Sequence, residues 1–135
     1  MQNYLEFFTD YMDDHGIKYT QQQDNVLKVS YGGDNLDDIH IFVIFDQDGD
    51  PYVQFRCWNI ANFKNKKDAA VALCNELNSH YRWVKFYIDD DADVIASIDT
   101  MIDSDNCGFV CHSMVSRLVS IIDGAYPQIA KARWA

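Results

Sequence analysis

The order in which hydrophobic patterns follow one another is the strongest constraint on this fold. Apolar residues first recur at helical spacing, then alternate over three segments, return to helical spacing, alternate over two more, and end in a long helical pattern. Alternation with period two is typical of strands, and recurrence every three to four residues is typical of helices. The order α-β-β-β-α-β-β-α predicts one α+β domain over residues 1–135, with a single antiparallel-rich sheet and helices packed on it.

Capping signals place the three helices at about residues 3–15, 65–80 and 106–125. Asn3 can accept a backbone N–H at the start of the first helix. Pro127 is expected to end the last one, because proline lacks the N–H that a helix interior needs.

The predicted strands lie at 26–31, 39–45, 52–60, 82–88 and 94–102. Strand 39–45 is apolar on both of its sides, which is typical of a central strand covered on both faces. We therefore expect it in the middle of the sheet, with protein above and below it.

Composition and charge limit the classes of partner. The chain carries 21 acidic and 11 basic residues, a net charge of −10. Nucleic acid and anionic membrane surfaces bind through lysine and arginine, so neither is expected as a partner. Basic, amphipathic or apolar polypeptides fit better. No apolar run reaches the length of a bilayer, and the N-terminus does not resemble a signal peptide. We expect a cytoplasmic protein with its four cysteines reduced.

Two acidic clusters raise the possibility of a bound cation. Asp46, Asp48 and Asp50 precede a strand, but the glycine and glutamate positions of a calcium loop are not matched, so a hairpin turn is preferred. The second cluster, 89–93, contains four aspartates. It is expected to be a solvated turn, with a weak divalent site or a contact for a basic partner as alternatives.

Cys107 and Cys111 lie one helical turn apart, next to His112. Packing of the thiols in the core is preferred, because a structural zinc site needs four ligands and each cysteine lies on an apolar stripe. A metal site or a redox pair is the alternative. The chain contains no nucleophile–base motif and no glycine-rich phosphate loop. We therefore predict no catalytic residue, no cofactor, no resident metal and no enzymatic activity.

One side of the predicted sheet is unusually aromatic. If the odd-numbered residues of 39–45 and 52–60 face the helices, the opposite side carries large apolar residues and an arginine. A solvated face is normally polar, whereas aromatic residues with arginine are typical of binding surfaces. Either a helix of the same chain covers this side or it binds a partner or a second copy. The candidate partner-binding residues are Phe42, Ile44, Tyr52, Arg56, Trp58, Trp83 and Tyr87.

Three stretches resemble a known family. They are 77–88 (LNSHYRWVKFYI), 94–99 (VIASID), and the last helix with Cys111, Leu118 and 122–127 (IDGAYP). Together with the element order, they are similar to the YbjN-like family of bacterial sensory-transduction regulators, which shares the fold of type III secretion chaperones. The resemblance implies a small acidic cytoplasmic protein, often dimeric, that binds other polypeptides or regulates indirectly. It carries no catalytic residue over to this chain.

Two functions are compatible with these observations. The preferred one is a non-enzymatic binding module, chaperone-like or regulatory, that binds a polypeptide and forms a homodimer. The alternative is a small-molecule-responsive regulator or minor enzyme with a pocket between the sheet and the helices.

Overall fold

The structure, a computed structural model, describes residues 3–135. Within this range it contains three helices and one six-stranded sheet of order β1-β2-β3-β4-β6-β5, in which every neighbouring pair is antiparallel. The predicted α+β fold is confirmed, with one strand more than expected. In chain order the elements are α1 Tyr4–Asp14, β1 Thr20–Gln23, β2 Val26–Tyr31, β3 Ile39–Phe45, β4 Tyr52–Cys57, α2 Lys67–His80, β5 Lys85–Ile88, β6 Val94–Met101 and α3 Cys107–Trp134.

The helices form one layer on one face of the sheet. The helix α3 packs on β3, β4 and β6, α2 packs on β5, and α1 packs on α3. Alternate side chains of the strands point into this layer, so that Val43 pairs with Phe55 and Phe55 with Ile98 in one buried row. These side chains and the apolar stripes of the helices form a single core. None of the helices within residues 3–135 has both the length and the hydropathy of a membrane-spanning segment.

The strand β3 is central, but only one of its faces is covered. Ile41 and Val43 are fully buried, whereas His40 is exposed and Phe42 and Ile44 are half-buried. The expectation that protein covers both faces of β3 is therefore wrong. Its two apolar sides reflect a core on one side and a surface on the other.

The helix α3 continues through Pro127 to Trp134, so the predicted end near residue 125 is also wrong. Proline cannot donate to the carbonyl four residues earlier, which belongs to Asp123. That carbonyl instead accepts a hydrogen bond from Asn35 Nδ2 at 2.9 Å. Ile129, beyond the proline, is fully buried, and its burial favours continuation of the helix.

The strand β1 was not predicted, because all four of its residues are exposed and polar. It lies at the edge of the sheet and is held by backbone pairing with β2. Two other strands are shorter than expected. The strand β4 ends before Asn59 and β5 begins after Trp83, and both of these residues have a positive φ, 59° and 76°. A left-handed residue interrupts the extended backbone, which explains both boundaries.

Candidate functional site

The face of the sheet opposite the helices, hereafter the open face, is where the candidate residues gather. Strand register places Lys28, Phe42, Arg56, Ser97 and Lys85 in one row that crosses β2, β3, β4, β6 and β5. Other side chains of the open face are Ser30, His40, Ile44, Tyr52, Gln54, Tyr87, Ile95, Asp99 and Met101, and Trp58 follows directly after β4.

Aromatic and apolar side chains of the open face are partly accessible to solvent. The rings of Phe42 and Trp58 lie with their centroids 4.8 Å apart at an angle of 53°. Trp58 is 39% exposed, and Tyr52 is 42% exposed. Tyr52 pairs across strands with Met101, which is 74% exposed. Large apolar side chains that share one face and remain accessible are typical of a binding surface.

Arg56 lies at the centre of the open face and connects two strands. Its Nε and Nη2 donate to Gln54 Oε1 at 3.1 and 2.8 Å, and its Nη1 donates to Tyr87 Oη at 2.7 Å. Both acceptors are uncharged. Three of the five N–H donors of a guanidinium are thereby used, and the charge of this half-buried side chain is met by neutral oxygens.

The bridge from Arg56 to Tyr87 passes over β6, which lies between β4 and β5. Beneath it, Ile95 and Ser97 are only 4% and 1% exposed, although their side chains point to the open face. The Ser97 hydroxyl has no hydrogen-bond partner among residues 3–135. The bridge fixes the position of the guanidinium.

Trp83 does not lie with the other candidates. Its backbone is left-handed, and its indole ring lies 5.9 Å from the guanidinium carbon of Arg117 on α3. Trp83 therefore belongs to the surface of the helix layer and not to the open face. The alternation that predicted otherwise assumed that the strand starts at residue 82. The remaining six candidates, Phe42, Ile44, Tyr52, Arg56, Trp58 and Tyr87, share the open face.

The turn between β3 and β4 borders the open face and is held by Asp46. Its Oδ2 accepts hydrogen bonds from the backbone N–H groups of Asp48 and Asp50, at 3.0 and 3.1 Å. These bonds, that of Asp50 first, lower the pKa of Asp46. The interaction of Asp46 with the Tyr52 hydroxyl raises the pKa of Tyr52. Asp46, Asp48 and Asp50 therefore form a hairpin turn, as the sequence predicted.

The second acidic turn brings three carboxylates together. Ligand atoms of Asp89, Asp91 and Asp93 lie within 4.8 Å of one another, and no other group of three metal-ligating side chains approaches this closely within residues 3–135. Oδ1 of Asp89 already accepts the backbone N–H groups of Asp91 and Asp93. Such bonds are typical of an aspartate that shapes a turn.

The cysteine pair lies in the core. Cys107 and Cys111 are fully buried, and the Sγ of Cys107 donates to the Tyr4 carbonyl at 3.3 Å. The hydrogen bond with Cys107, and then burial, raise the pKa of the Cys111 thiol far above its usual range. His112 lies against the ring of Tyr11, at a centroid distance of 5.9 Å, and does not form a ligand cluster with the thiols. The hydrogen bond between the two thiols lowers the pKa of Cys107. Cys111 is held as a neutral buried thiol, which is a poor metal ligand and a poor nucleophile.

Several residues of the open face were not singled out from the sequence. Lys28 and Met101 belong to it only through strand register, which a single sequence does not show. Ile95 and Ser97 were hidden because β6 is buried on both of its sides, so its alternation gives no direction. One signal in the sequence could have indicated Ile95 and Ser97. Lys85 and Tyr87 are predicted to point outward, and they pair with Ser97 and Ile95 on the neighbouring strand β6.

Comparisons with known proteins agree with this fold. The YbjN family, described as "Putative bacterial sensory transduction regulator", matches residues 5–121. The crystal structure of E. coli YbjN, titled "a putative transcription regulator", is similar with a TM-score of 0.62 and 12% identity over 92% of both chains. Among curated protein sequences, none matches. The family match spans most of the chain, and the predicted family and secretion chaperone-like fold are confirmed. This protein belongs to the YbjN family.

Proposed function

We propose that this protein is a non-enzymatic binding module of the cytoplasm, regulatory or chaperone-like, that binds a polypeptide on its open face and self-associates. One observation carries the proposal: a whole sheet face has aromatic side chains that no helix within residues 3–135 covers. The family description as a sensory transduction regulator is compatible with a protein that acts by binding.

The composition of the open face favours a polypeptide ligand over a small molecule. Phe42 pairs with Arg56 across the strands, Trp58 lies against Phe42, and Tyr87 accepts a hydrogen bond from Arg56. Aromatic residues and arginine dominate the binding energy of protein interfaces. The surface extends across five strands, whereas small molecules are normally bound in a single concave pocket. A groove of about 380 Å³ beside Trp58 interrupts it and offers a place for one side chain of the partner.

The alternative, a ligand-responsive regulator or minor enzyme, needs a pocket between the sheet and the helices. That layer is filled by fully buried side chains, among them Phe8, Phe55 and Phe63. A cleft of about 510 Å³ lies instead at the surface, beside α1 and the β3–β4 turn. This distribution of space favours the binding module. A thermal-shift screen with metabolites and metals would favour the alternative if any compound raised the melting temperature.

Two of the accessible tryptophans, Trp58 and Trp83, provide the test of the proposal. Trp58→Asp introduces a charge at the open face, whereas Trp83→Asp makes the same change on the helix layer. We expect Trp58→Asp to lose its native partners in affinity purification. We expect Trp83→Asp to behave like the unchanged protein, since it leaves the open face intact.

Circular dichroism and thermal melting establish that both variants are folded. If folded Trp58→Asp keeps its partners, the open face is not the binding surface. If Trp83→Asp loses them and Trp58→Asp does not, the binding surface lies on the helix layer and the proposal is overturned.

A further inference from the structure

One row of the open face is positively charged although the chain as a whole is acidic. The protein as a whole has a net charge of −10, yet one row of the open face contains Lys28, Arg56 and Lys85. Carboxylates lie outside this row: Asp99 in the next row opposite Gln54, Asp38 in the groove beside Trp58, and Asp46 against Tyr52. We infer that the open face binds an acidic segment of a different polypeptide, whose carboxylates pair with this row. The inference rests on the proposed function and names the partner chemistry.

Arg56 is the central contact in this inference. Its bonds to Gln54 and Tyr87 leave one N–H on each of Nη1 and Nη2 without a partner among residues 3–135. A carboxylate would add an opposite charge and accept both of these N–H groups, which is the bidentate geometry that guanidinium groups favour. Arg56 pairs across the strands with Phe42 and is half-buried, and partial removal from water strengthens such a pair.

The distances between the three cations of the row indicate how far apart the carboxylates of the ligand should be. Two strand intervals separate Lys28 from Arg56, and two more separate Arg56 from Lys85. Neighbouring strands are about 4.8 Å apart, so the three cations repeat at about 10 Å along a line that crosses the strands. The apolar ring of Phe42 lies between the first two. A matching segment has carboxylates about 10 Å apart with apolar residues between them.

A second copy of this chain fits the open face poorly. Two identical faces related by a twofold axis would bring the cationic rows of both copies together, and like charges oppose such a contact. Nucleic acid is also disfavoured, because the row is short. Acidic turns containing Asp46 and Asp89 lie at opposite ends of the strands and would repel a longer polyanion.

The test uses an 18-residue fluorescein-labelled peptide of Glu, Leu and Ala, and matched peptides in which Gln or Lys replaces every Glu. Fluorescence anisotropy measures Kd for the full chain at 50 and 300 mM NaCl. We expect the Glu peptide to bind most tightly, with affinity that falls at the higher salt. Arg56→Gln should weaken it about tenfold. Lys131→Gln changes the charge equally on the exposed side of α3 and should leave Kd within about twofold.

Arg56→Lys provides a second variant if Arg56→Gln does not fold. It keeps the charge but loses the planar fork, and we expect an intermediate loss of about threefold. An 18-nucleotide oligo(dT) is titrated in parallel. Tighter binding of the oligonucleotide than of the Glu peptide would overturn the inference, as would the absence of Glu-peptide binding up to 1 mM.

The remaining outcomes separate this inference from the proposed function. If the Glu and Gln peptides bind equally and Trp58→Asp abolishes both, the open face binds polypeptides but does not select acidic ones. In that case the inference fails and the proposed function stands. If Lys131→Gln raises Kd for the Glu peptide as much as Arg56→Gln does, the peptide is attracted by the overall charge of the protein and not by the cations of the row. The inference then fails.

Discussion

Gly108 lies at a close contact between α1 and α3, and replacing it tests the packing of the helix layer. A Cβ at position 108 would lie 2.5 Å from Cβ and 2.6 Å from Cγ of Tyr11. Carbon atoms in contact are normally about 3.5–4.0 Å apart, so Gly108→Ala must separate the helices by about 1 Å. Rotation of the Tyr11 ring cannot relieve this contact, because the obstructing atoms are at the base of the side chain.

The expected magnitude follows from two opposing effects. Overpacking of this kind costs about 1–3 kcal/mol, while alanine in place of glycine within a helix gains at most about 1 kcal/mol. We therefore expect Gly108→Ala to lower the free energy of unfolding by about 1–2 kcal/mol. The change is measured by urea denaturation followed by circular dichroism at 222 nm, with an unchanged denaturant slope.

Gly124 in the same helix provides the control. A Cβ at position 124 would meet only the Tyr81 hydroxyl oxygen, at an ordinary 3.7 Å. Gly124→Ala should therefore leave stability unchanged or raise it by up to about 1 kcal/mol. If Gly108→Ala is as stable as Gly124→Ala, the close approach of α1 to α3 described here is incorrect.

Three further predictions follow from single contacts. Asn35→Ala removes the donor to the carbonyl that Pro127 leaves free, and should cost about 1 kcal/mol in urea denaturation; an unchanged midpoint would argue against this role. The carboxylate of Asp123 accepts hydrogen bonds from the backbone N–H groups of residues 34–36, and these bonds, that of Asn35 first, lower its pKa. The ionised carboxylate therefore stabilises the folded protein above the ordinary pKa of 3.8, and this contribution is lost as pH falls through the lowered pKa. The urea midpoint should thus fall from pH 6 to pH 3, and Asp123→Asn should have a lower midpoint at pH 6 and a smaller fall; an equal fall would contradict this. Burial raises the pKa of Cys57 and of Cys74 to about 11, so native thiols should react with Ellman's reagent at pH 7.5 more than about tenfold slower than in guanidinium, and equal rates would contradict their burial.

Strong periodic patterns made most of the fold predictable from the sequence. The apolar alternation of β3 and β4 and the stripe of α1 are determined by local burial, and each appears close to where it was expected. The polar strand β1 has no such pattern, because it is exposed and pairs through backbone groups alone. Continuation of α3 past Pro127 depends on Asn35, which lies 92 positions earlier in the chain and could not be connected to it by sequence reasoning.

The sequence predicted that the open face is aromatic and contains an arginine, but it did not predict all of the residues that lie on this face. Alternation within β3 placed Phe42 correctly on the open face, and alternation within β4 did the same for Arg56. Trp83 was misplaced because a single left-handed residue reverses the alternation, and no residue type in the sequence signals it. The cationic row was not anticipated, because it depends on the register of strands that are distant along the chain, such as Lys28 and Lys85.

The most direct test of the central claim is site-specific photo-crosslinking from the two faces. A benzoylphenylalanine in place of Tyr87 on the open face, or of Phe109 on the exposed surface of α3, is irradiated in cells that express the protein natively. The account predicts a polypeptide adduct from position 87 and none from position 109. Adducts from position 109 alone, or equal adducts from both positions, would contradict the assignment of the open face as the binding surface.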